Sequence, residues 1–507
     1  MAAMDPAPAL FSFPLGGQPR PGDTAPRRLD VQPRQWQRQL IQLLRARLVQ
    51  QRQGGQDVLI HAGPGAGKTL GALLSFRQMQ REGRLQRFVV FCHRTSIGLQ
   101  WHQAATRLGL RLRDWDGPPD GDDPGWDGQL LSYQCAARQR PLLERHGVSG
   151  TSCHWLAIAD EVHHLGLDPD EPEAAAWGHA FSSLTASAAL RLGLTGTPFR
   201  ADNLAFCAAR RERVRQGEEI VERIVPDLSV EPRQLISAGD VRPLEFRFQD
   251  GWVDHGRPAA DGDGSGDCET SPLSAESRES WRARNLRRAI RLGDSSSIAL
   301  RLLLEARRRL ERLRQHQHPG AGGLVIARDI AHAEQISALL REQGDAVHLV
   351  HSQDPGAAER LAAFRAGQAD WLVSIDMCAE GFDAPRVRVV AYLTTVVTRS
   401  RFVQAITRAV RMEVERARQE PIPRLASYVY APADPLLIRY ARSWSLSEPY
   451  LLSCRQASAT VPGNGLPAAG QHPLQAIDER AGSLLRVRGP ELPHFLAGLS
   501  VQRSLAQ

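Results

Sequence analysis

The sequence predicts an α/β chain of two tandem domains, each built on a parallel sheet. Two observations carry that reading: short apolar runs alternate with helical segments, and the alternation recurs in both halves of a 507-residue chain. A third is a glycine-rich turn between an apolar run and a helical segment at 61–74, the kind of turn found at the ligand-binding edge of such a sheet. Hydrophobic residues make up 42% and charged residues 23%, which is ordinary for a globular protein and excludes a collagen-like, coiled-coil or wholly disordered chain. The length fits three compact units, or two larger ones with extensions.

Taken in order, residues 1–28 are rich in Pro, Gly and Ala without a period and read as a flexible arm. A first domain is expected over 29–205. It opens with a helix at about 34–53, where Trp36, Leu40, Leu44 and Leu48 recur every four residues. Strands are expected at the apolar runs 57–60, 88–91, 130–131, 155–159 and 192–194, with helices between them. A connector over 206–278 should contain a hairpin at 244–248 and a disordered loop at about 256–277, GRPAADGDGSGDCETSPLSAES. The second domain, 279–444, begins with two Arg-rich helices at about 279–292 and 296–316. The second of these should bury Leu300, Leu303, Leu304 and Leu310 and expose Arg307, Arg308, Arg309 and Arg312. Its strands are expected at 324–326, 347–350, 371–375, 387–392 and 428–430, and a loop-rich tail, 445–507, carries no usable motif.

Charge and cysteine content narrow the setting. With 63 Lys+Arg against 56 Asp+Glu the net charge is +7, which permits a polyanionic partner without demanding one. No run reaches the roughly 18–20 uncharged apolar residues of a membrane span. The first residues lack the charged-then-apolar layout of an export signal, so export is not expected. Seven scattered cysteines with no CxxC pair form neither a zinc framework nor a disulfide scaffold and fit a reducing cytoplasm. Lys68 is the only lysine, leaving 62 arginines (63 − 1). It stands in GPGAGKT, a place that needs an ammonium a guanidinium cannot replace.

That lysine belongs to His61-Ala62-Gly63-Pro64-Gly65-Ala66-Gly67-Lys68-Thr69. Gly63, Gly65, Ala66 and Gly67 would let backbone N–H groups wrap a phosphate at a helix N-terminus. Lys68 would reach the β and γ phosphates, and the Thr69 hydroxyl would bind Mg²⁺. Ala62 stands where the strict pattern has Gly. The run 155–159 leads directly into Asp160-Glu161-Val162-His163-His164, placing two carboxylates at the carboxyl end of a buried strand. Asp160 suits Mg²⁺ held through water, and Glu161 suits orienting and deprotonating an attacking water. His163 either senses the γ-phosphate or is a surface histidine.

The ordered motifs GAGKT, DEVH, LTGTPFR and QAITRAVR resemble superfamily 2 helicases and translocases, on the DExH branch shared with the motor subunits of type I and type III restriction enzymes. The resemblance covers about 30–440 and implies two RecA-like domains working with ATP and Mg²⁺. It implies that Gln37, in Arg34-Gln35-Trp36-Gln37, reads the adenine edge with Trp36 packed nearby. It implies that Leu194-Thr195-Gly196-Thr197-Pro198 couples hydrolysis to domain movement. Cys92-His93-Arg94-Thr95 and Ser132-Tyr133-Gln134 fall where relatives touch a nucleic-acid backbone, although as residues they read equally as a turn and a helix cap. The segment 374–385 resembles the motif that meets ribose and nucleic acid, with Gly381 and Asp383 facing the nucleotide. Gln404-Ala405-Ile406-Thr407-Arg408-Ala409-Val410-Arg411 resembles the arginine-finger motif, with Thr407 in place of a usual Gly. Arg408 and Arg411, three apart, would share one helical face.

The expected catalytic set is therefore Lys68, Asp160, Glu161, Arg408 and Arg411, with Thr69 and Asp160 as metal ligands. The expected activity is ATP-driven helicase or translocase movement along nucleic acid, DNA favoured over RNA, in the cytoplasm and away from membranes. An RNA helicase and a nucleotide-switched sensor within a phage-defence or restriction system are the competing readings. With its one lysine in the phosphate loop, the chain has none for a nuclease built from two acids and a lysine. Cleavage would then come from a separate nuclease subunit, and a methyltransferase subunit is a second possible partner, both by analogy with restriction systems.

Overall fold

The computed structural model describes residues 31–49, 57–63, 65–93, 95–117, 125–149, 154–165, 174–196, 211–216, 219–256, 268–276, 278–293, 296–375, 383–446 and 484–488. The chain divides into two compact units at Val230/Glu231.

The first unit runs α1 (Gln35–Val49), β1 (Asp57–Ala62), α2 (Lys68–Arg81), β2 (Arg87–Cys92), α3 (Thr95–Arg107), β3 (Leu112–Asp114), β4 (Gly128–Ser132), α4 (Tyr133–Arg138), α5 (Arg140–His146), β5 (Trp155–Asp160), α6 (Ala174–Leu184), β6 (Leu190–Thr195), β7 (Arg211–Gln216), β8 (Glu219–Ile224) and β9 (Leu228–Val230). Seven of these strands form one sheet in the order β3-β4-β2-β5-β6-β1-β9. Every pairing in it is parallel. Every residue of β5 is buried, as a central strand covered on both faces requires. On α1 the stripe of Trp36, Leu40 and Leu44 is buried, while Leu48 is half-buried. β7 and β8 pair antiparallel with each other.

The second unit runs α7 (Pro232–Ser237), β10 (Leu244–Gln249), β11 (Trp252–Gly256), β12 (Cys268–Pro272), α8 (Glu279–Ala289), α9 (Ile298–His316), β13 (Gly322–Ala327), α10 (Ile330–Glu342), β14 (Val347–Val350), α11 (Ala357–Arg365), β15 (Trp371–Ser374), β16 (Val387–Leu393), α12 (Arg399–Ile406), α13 (Val414–Gln419), β17 (Ser427–Pro432), α14 (Pro435–Leu446) and β18 (Leu484–Arg488). Its main sheet has the order β10-β17-β16-β13-β15-β14, again all parallel. A small antiparallel sheet, β12-β11-β18, lies in the same unit. Two parallel α/β sheets in tandem are the RecA-like arrangement the motifs imply. Among the described residues no helix is long and apolar enough to cross a membrane.

Several expectations are corrected. Residues 244–248 are not a hairpin: β10 pairs parallel with β17, Leu244 opposite Ser427, and closes one edge of the second sheet. Alternation alone marks a strand but not its partner. The stretch expected as a loop at 256–277 includes β12 and a 3-10 turn at Leu273–Ala275, and residues 257–267 lie outside the described residues. The tail supplies β18, which pairs with β11; residues 1–28 lie outside the described residues. On α9 the expected leucines are buried, and Arg312 is exposed. The other arginines there are half-buried: Arg307 bonds Asp345 (2.7 Å) and the Gln343 carbonyl (2.6 Å), and Arg309 lies 4.3 Å over the Tyr428 ring. Long arginine stems lie along apolar surface while planar heads seek carboxylates and ring faces.

Candidate functional site

Strand order brings the first unit's motifs together. β6 lies between β1 and β5, and all three run the same way. His61 is level with Thr195, and Asp160 is level with Leu194. The phosphate loop, the two carboxylates and the Leu194-Thr195-Gly196 segment therefore leave the sheet at one edge, the carboxyl edge where open α/β sheets bind ligands. Gly65 and Gly67 hold positive φ, 80° and 81°, a conformation open to glycine at no steric cost. Gly67 caps α2, so Lys68 and Thr69 sit in that helix's first turn, where unpaired N–H groups favour anions.

Lys68 and Glu161 meet directly: Nζ lies 3.2 Å from Oε1. The lysine also donates to the Ala62 carbonyl at 3.4 Å. Among the described residues Glu161 is the one non-glycine with positive φ, 50°, a strained backbone placed where the chain turns off β5. Its Oε2 accepts from the Gly196 N–H at 3.4 Å, which ties the carboxylate to the segment after β6. Asp160 is buried, and both its oxygens are engaged. The Trp101 indole donates to Oδ2 at 2.8 Å and the Glu161 N–H to Oδ1 at 3.1 Å. The Tyr133 hydroxyl donates to the Asp160 carbonyl at 2.8 Å. Burial, then the Glu161 charge, pushes the Asp160 carboxyl up to about 6, against the pull of Lys68, Trp101 and the Glu161 N–H. A carboxylate so desolvated gains most from a cation, and a hard oxygen ligand of this kind suits Mg²⁺.

Arg34 and the first turn of α1 grip the phosphate loop from outside. Arg34 Nη1 donates to the Gly65 carbonyl (2.6 Å), Trp36 Nε1 to that of Ala66 (3.0 Å) and Gln37 Nε2 to that of Gly67 (3.0 Å). In a trans peptide the N–H points opposite its C=O. Holding these carbonyls toward Arg34, Trp36 and Gln37 aims the N–H groups of Gly67 and Lys68 the other way, while the Ala66 N–H donates to the Gly63 carbonyl at 3.1 Å. Gly71 makes the close approach possible, since a Cβ there would lie 2.8 Å from the Trp36 ring. Gln37 is 1% exposed, and its Oε1 accepts from the Arg34 N–H at 2.9 Å. In place of the expected base edge, its amide meets the loop and Arg34.

Other expected contacts resolve differently. Ser132 caps α4, accepting from the Cys135 N–H at 3.0 Å, and Tyr133 is fully buried against Asp160, so the Tyr133 side chain does not present itself to a nucleic-acid backbone. Cys92 is buried, and His93 stacks on His164 at 4.2 Å between ring centroids. Arg94, Thr197, Pro198 and Gly381 lie outside the described residues, as does the side chain of His163. Sequence reasoning missed Trp101 and Tyr133 as partners of Asp160. Trp101 lies on a helix remote in the chain, and Tyr133 stands in a segment that reads equally as a nucleic-acid contact and a helix cap.

In the second unit α12 ends at Ile406, so Arg408 and Arg411 are not on one helical face; a turn at 407–410 carries the chain between them. Thr407 caps that end, its N–H bonded to the Val403 carbonyl. Arg411 Nη1 lies 2.6 Å from Asp383 Oδ1. Burial alone would raise the Asp383 carboxyl, but Arg411, with Arg408 and Arg365, outweighs it and holds the group below its ordinary value. Arg408 is 7% exposed. The structure thus brings Arg408, Arg411 and Asp383 into one charged cluster.

A phosphate loop and a carboxylate pair at one sheet edge, followed by a second parallel α/β unit with an arginine cluster, define the class of two-domain P-loop motor proteins. Residues 30–200 match the family described as "Type III restriction enzyme, res subunit", and residues 305–413 match "Helicase conserved C-terminal domain". The two matched regions have the order and kinds of domain of superfamily 2 helicases of the restriction-enzyme motor branch, which the chain resembles. It is 30% identical over 420 residues to the uncharacterized protein Rv2917 of Mycobacterium tuberculosis H37Rv, covering 82% of this chain and 64% of the relative. An uncharacterized protein of Mycobacterium leprae, ML1624, is also 30% identical, over 82% of this chain and 65% of its own length. The chain thus spans less than two-thirds of the length of these relatives. Among solved structures, a fragment of an HsdR subunit of a type I restriction enzyme from Vibrio vulnificus YJ016 shares the fold at TM-score 0.50 and 17% identity, over 81% of this chain and 66% of that one. The ATP-dependent type ISP restriction-modification enzyme LlaBIII, bound to DNA, does so at TM-score 0.51 and 14% identity, over 83% of this chain and 30% of that one.

Proposed function

We propose that this protein hydrolyses ATP to drive movement along DNA, as a translocase or helicase. The observation that carries the proposal is the Lys68–Glu161 contact beside a buried Asp160 at the mouth of the phosphate loop. The loop N–H groups and Lys68 bind the phosphates, and Thr69 and Asp160 hold Mg²⁺. The metal, once bound, neutralises charge on the phosphate oxygens. Glu161 orients the attacking water and takes its proton, while Arg408 and Arg411 stabilise the charge of the transferring group. Gly381 and Asp383 contribute to holding the nucleotide, and so does Gln37, by bracing the loop through Gly67. The Glu161–Gly196 bond supports a route from the cleaved bond to the Leu194–Pro198 segment, which follows β6.

DNA is favoured because one solved neighbour is itself DNA-bound and both are restriction enzymes by their titles. The same likeness supports a separate nuclease or methyltransferase subunit as partner, in the cytoplasm. The test is ATP turnover with single-stranded DNA, duplex DNA and RNA at fixed salt, since phosphate contacts are salt-dependent. DNA should stimulate turnover several-fold and RNA should not. Stimulation by RNA alone would replace DNA as the track, and no stimulation by any would sink the motor reading.

Trp101 supplies a narrower test. Trp101→Phe keeps an aromatic ring in the core but removes the donor to Asp160 Oδ2, at a cost of about 1.5–3 kcal/mol for a hydrogen bond to a charged group. The Mg²⁺ concentration for half-maximal turnover should rise several-fold with nucleotide affinity little changed. An unaltered Mg²⁺ titration would show that the indole does not position this carboxylate.

A further inference from the structure

One cluster in the second unit buries more positive charge than the described carboxylates beside it answer. Arg242, Arg386, Arg388 and Arg424 are each buried, and half-buried Arg416 joins them. Glu420 is their near carboxylate, and Arg242 already takes both its oxygens, at 2.5 and 2.6 Å. Asp370, beside Arg386, is paired with Arg314. Glu413, also beside Arg386, is exposed.

The cluster is tied together through three short stretches of backbone. Arg242 donates to the Leu425 carbonyl (3.0 Å), and Arg388 to the Ala426 carbonyl (2.9 Å) and the Ser427 hydroxyl (3.2 Å). Arg424 donates to the carbonyls of Gly239 and Glu420. Arg416 donates to the Gln317 carbonyl (2.8 Å) and Arg386 to that of Gly320 (2.8 Å), on either side of His318. His318 is 4% exposed, and its pKa is held down to about 3 by burial, then by Arg416, Arg388, Arg242 and Arg386. Burial and Arg242 likewise bring Arg388 down to about 10.

After these bonds, donor capacity remains. Arg388 Nη1, Arg242 Nε, Arg416 Nε and His318 Nδ1 are buried and meet no hydrogen-bond partner among the described residues. A buried N–H left without an acceptor costs free energy even when the rest of its guanidinium is bonded. Setting Glu420 alone against these arginines leaves a net positive interior, which a protein tolerates where an anion completes it.

We propose that the cluster of Arg242, Arg388, Arg416 and His318 binds a small tetrahedral oxyanion of the phosphate or sulfate class. Arginine's planar fork matches such an oxyanion. The near-complete burial of Arg242, Arg388 and His318 favours a free ion over a phosphate within a strand. Bound there, the ion would brace the neighbouring turn at 407–410, because the Arg242 N–H donates to the Val410 carbonyl at 2.9 Å. The inference stands apart from the proposed motor activity, since it uses none of the phosphate-loop residues.

The test is equilibrium dialysis of the full chain with radiolabelled inorganic phosphate, comparing the wild type with Lys68→Ala, Arg388→Met and Arg416→Met. The Lys68→Ala chain should retain saturable phosphate binding, with sulfate competing and chloride at matched ionic strength not competing. Arg388→Met and Arg416→Met should each weaken that binding roughly tenfold or more, as expected for loss of a charge-assisted pair. Arg416 is half-buried, so its variant keeps the test usable if Arg388→Met fails to fold. No saturable binding in Lys68→Ala, or binding unaffected by either arginine variant, would overturn the proposal. Displacement of the labelled phosphate by a single-stranded oligonucleotide would overturn it too, by making the occupant a strand.

Discussion

Glu161→Gln should retain nucleotide binding and lose ATP turnover by ~10³-fold, about 4 kcal/mol of transition-state stabilisation. The substitution keeps the shape of the side chain. Its amide oxygen can still accept from the Gly196 N–H that Glu161 Oε2 meets at 3.4 Å. What it removes is a base for the attacking water and the negative partner of Lys68. Those losses act in opposite directions on separate steps. Without the carboxylate, water is not deprotonated and turnover falls. Freed from its partner at 3.2 Å, the Lys68 ammonium is more available to phosphate, so nucleotide affinity should hold or tighten. Fluorescent-nucleotide titration together with phosphate-release kinetics separates the two. Wild-type turnover in this variant would remove Glu161 from the chemistry, and a parallel loss of binding would make it a structural residue of the loop.

The parts of this site that were legible in the sequence are those whose chemistry is local. The loop from Gly63 to Thr69 declares itself because positive φ at Gly65 and Gly67 and a helix starting at Lys68 all follow from consecutive residues. Asp160 and Glu161 declare themselves because a wholly apolar run ends on them. The donor to Asp160 is another matter. Trp101 is separated from it by 59 residues and reads in sequence as one more apolar position of a helix. Only the packing of α3 against the sheet turns its indole nitrogen into a carboxylate ligand. Strand partners were hidden for the same reason: alternation in β10 says that one face is buried, but its pairing with β17 is decided by the chain between them. Arginine was the least legible residue. In a chain with 62 of them (63 − 1), position along an element does not tell a solvated head from one like Arg388 of β16, fully buried against the Ala426 carbonyl and the Ser427 hydroxyl.

The arginine motif shows where that difficulty bears on function. Arg408→Ala and Arg411→Ala should each lower turnover by ~10³-fold or more, in the range an arginine finger contributes, while nucleotide affinity changes by only a few-fold. A guanidinium that serves the transition state costs kcat when lost, whereas one that only holds the ground state costs KM. The two positions should differ in what else they disturb. Arg411 is paired with Asp383 at 2.6 Å, so its loss leaves a half-exposed carboxylate that water can solvate, and thermal stability should barely move. Arg408 is 7% exposed, and its loss opens the interior of the turn after α12, so Tm should fall as well. Arg411→Lys discriminates further. It keeps the charge and can still neutralise Asp383, but it lacks the planar fork that grips two phosphate oxygens at once. If Arg411 acts on the transferring group, the lysine variant should leave stability unchanged and restore little of the turnover. If the lysine variant turns over at the wild-type rate, Arg411 serves only as the counter-charge of Asp383, and the catalytic role falls to Arg408 alone.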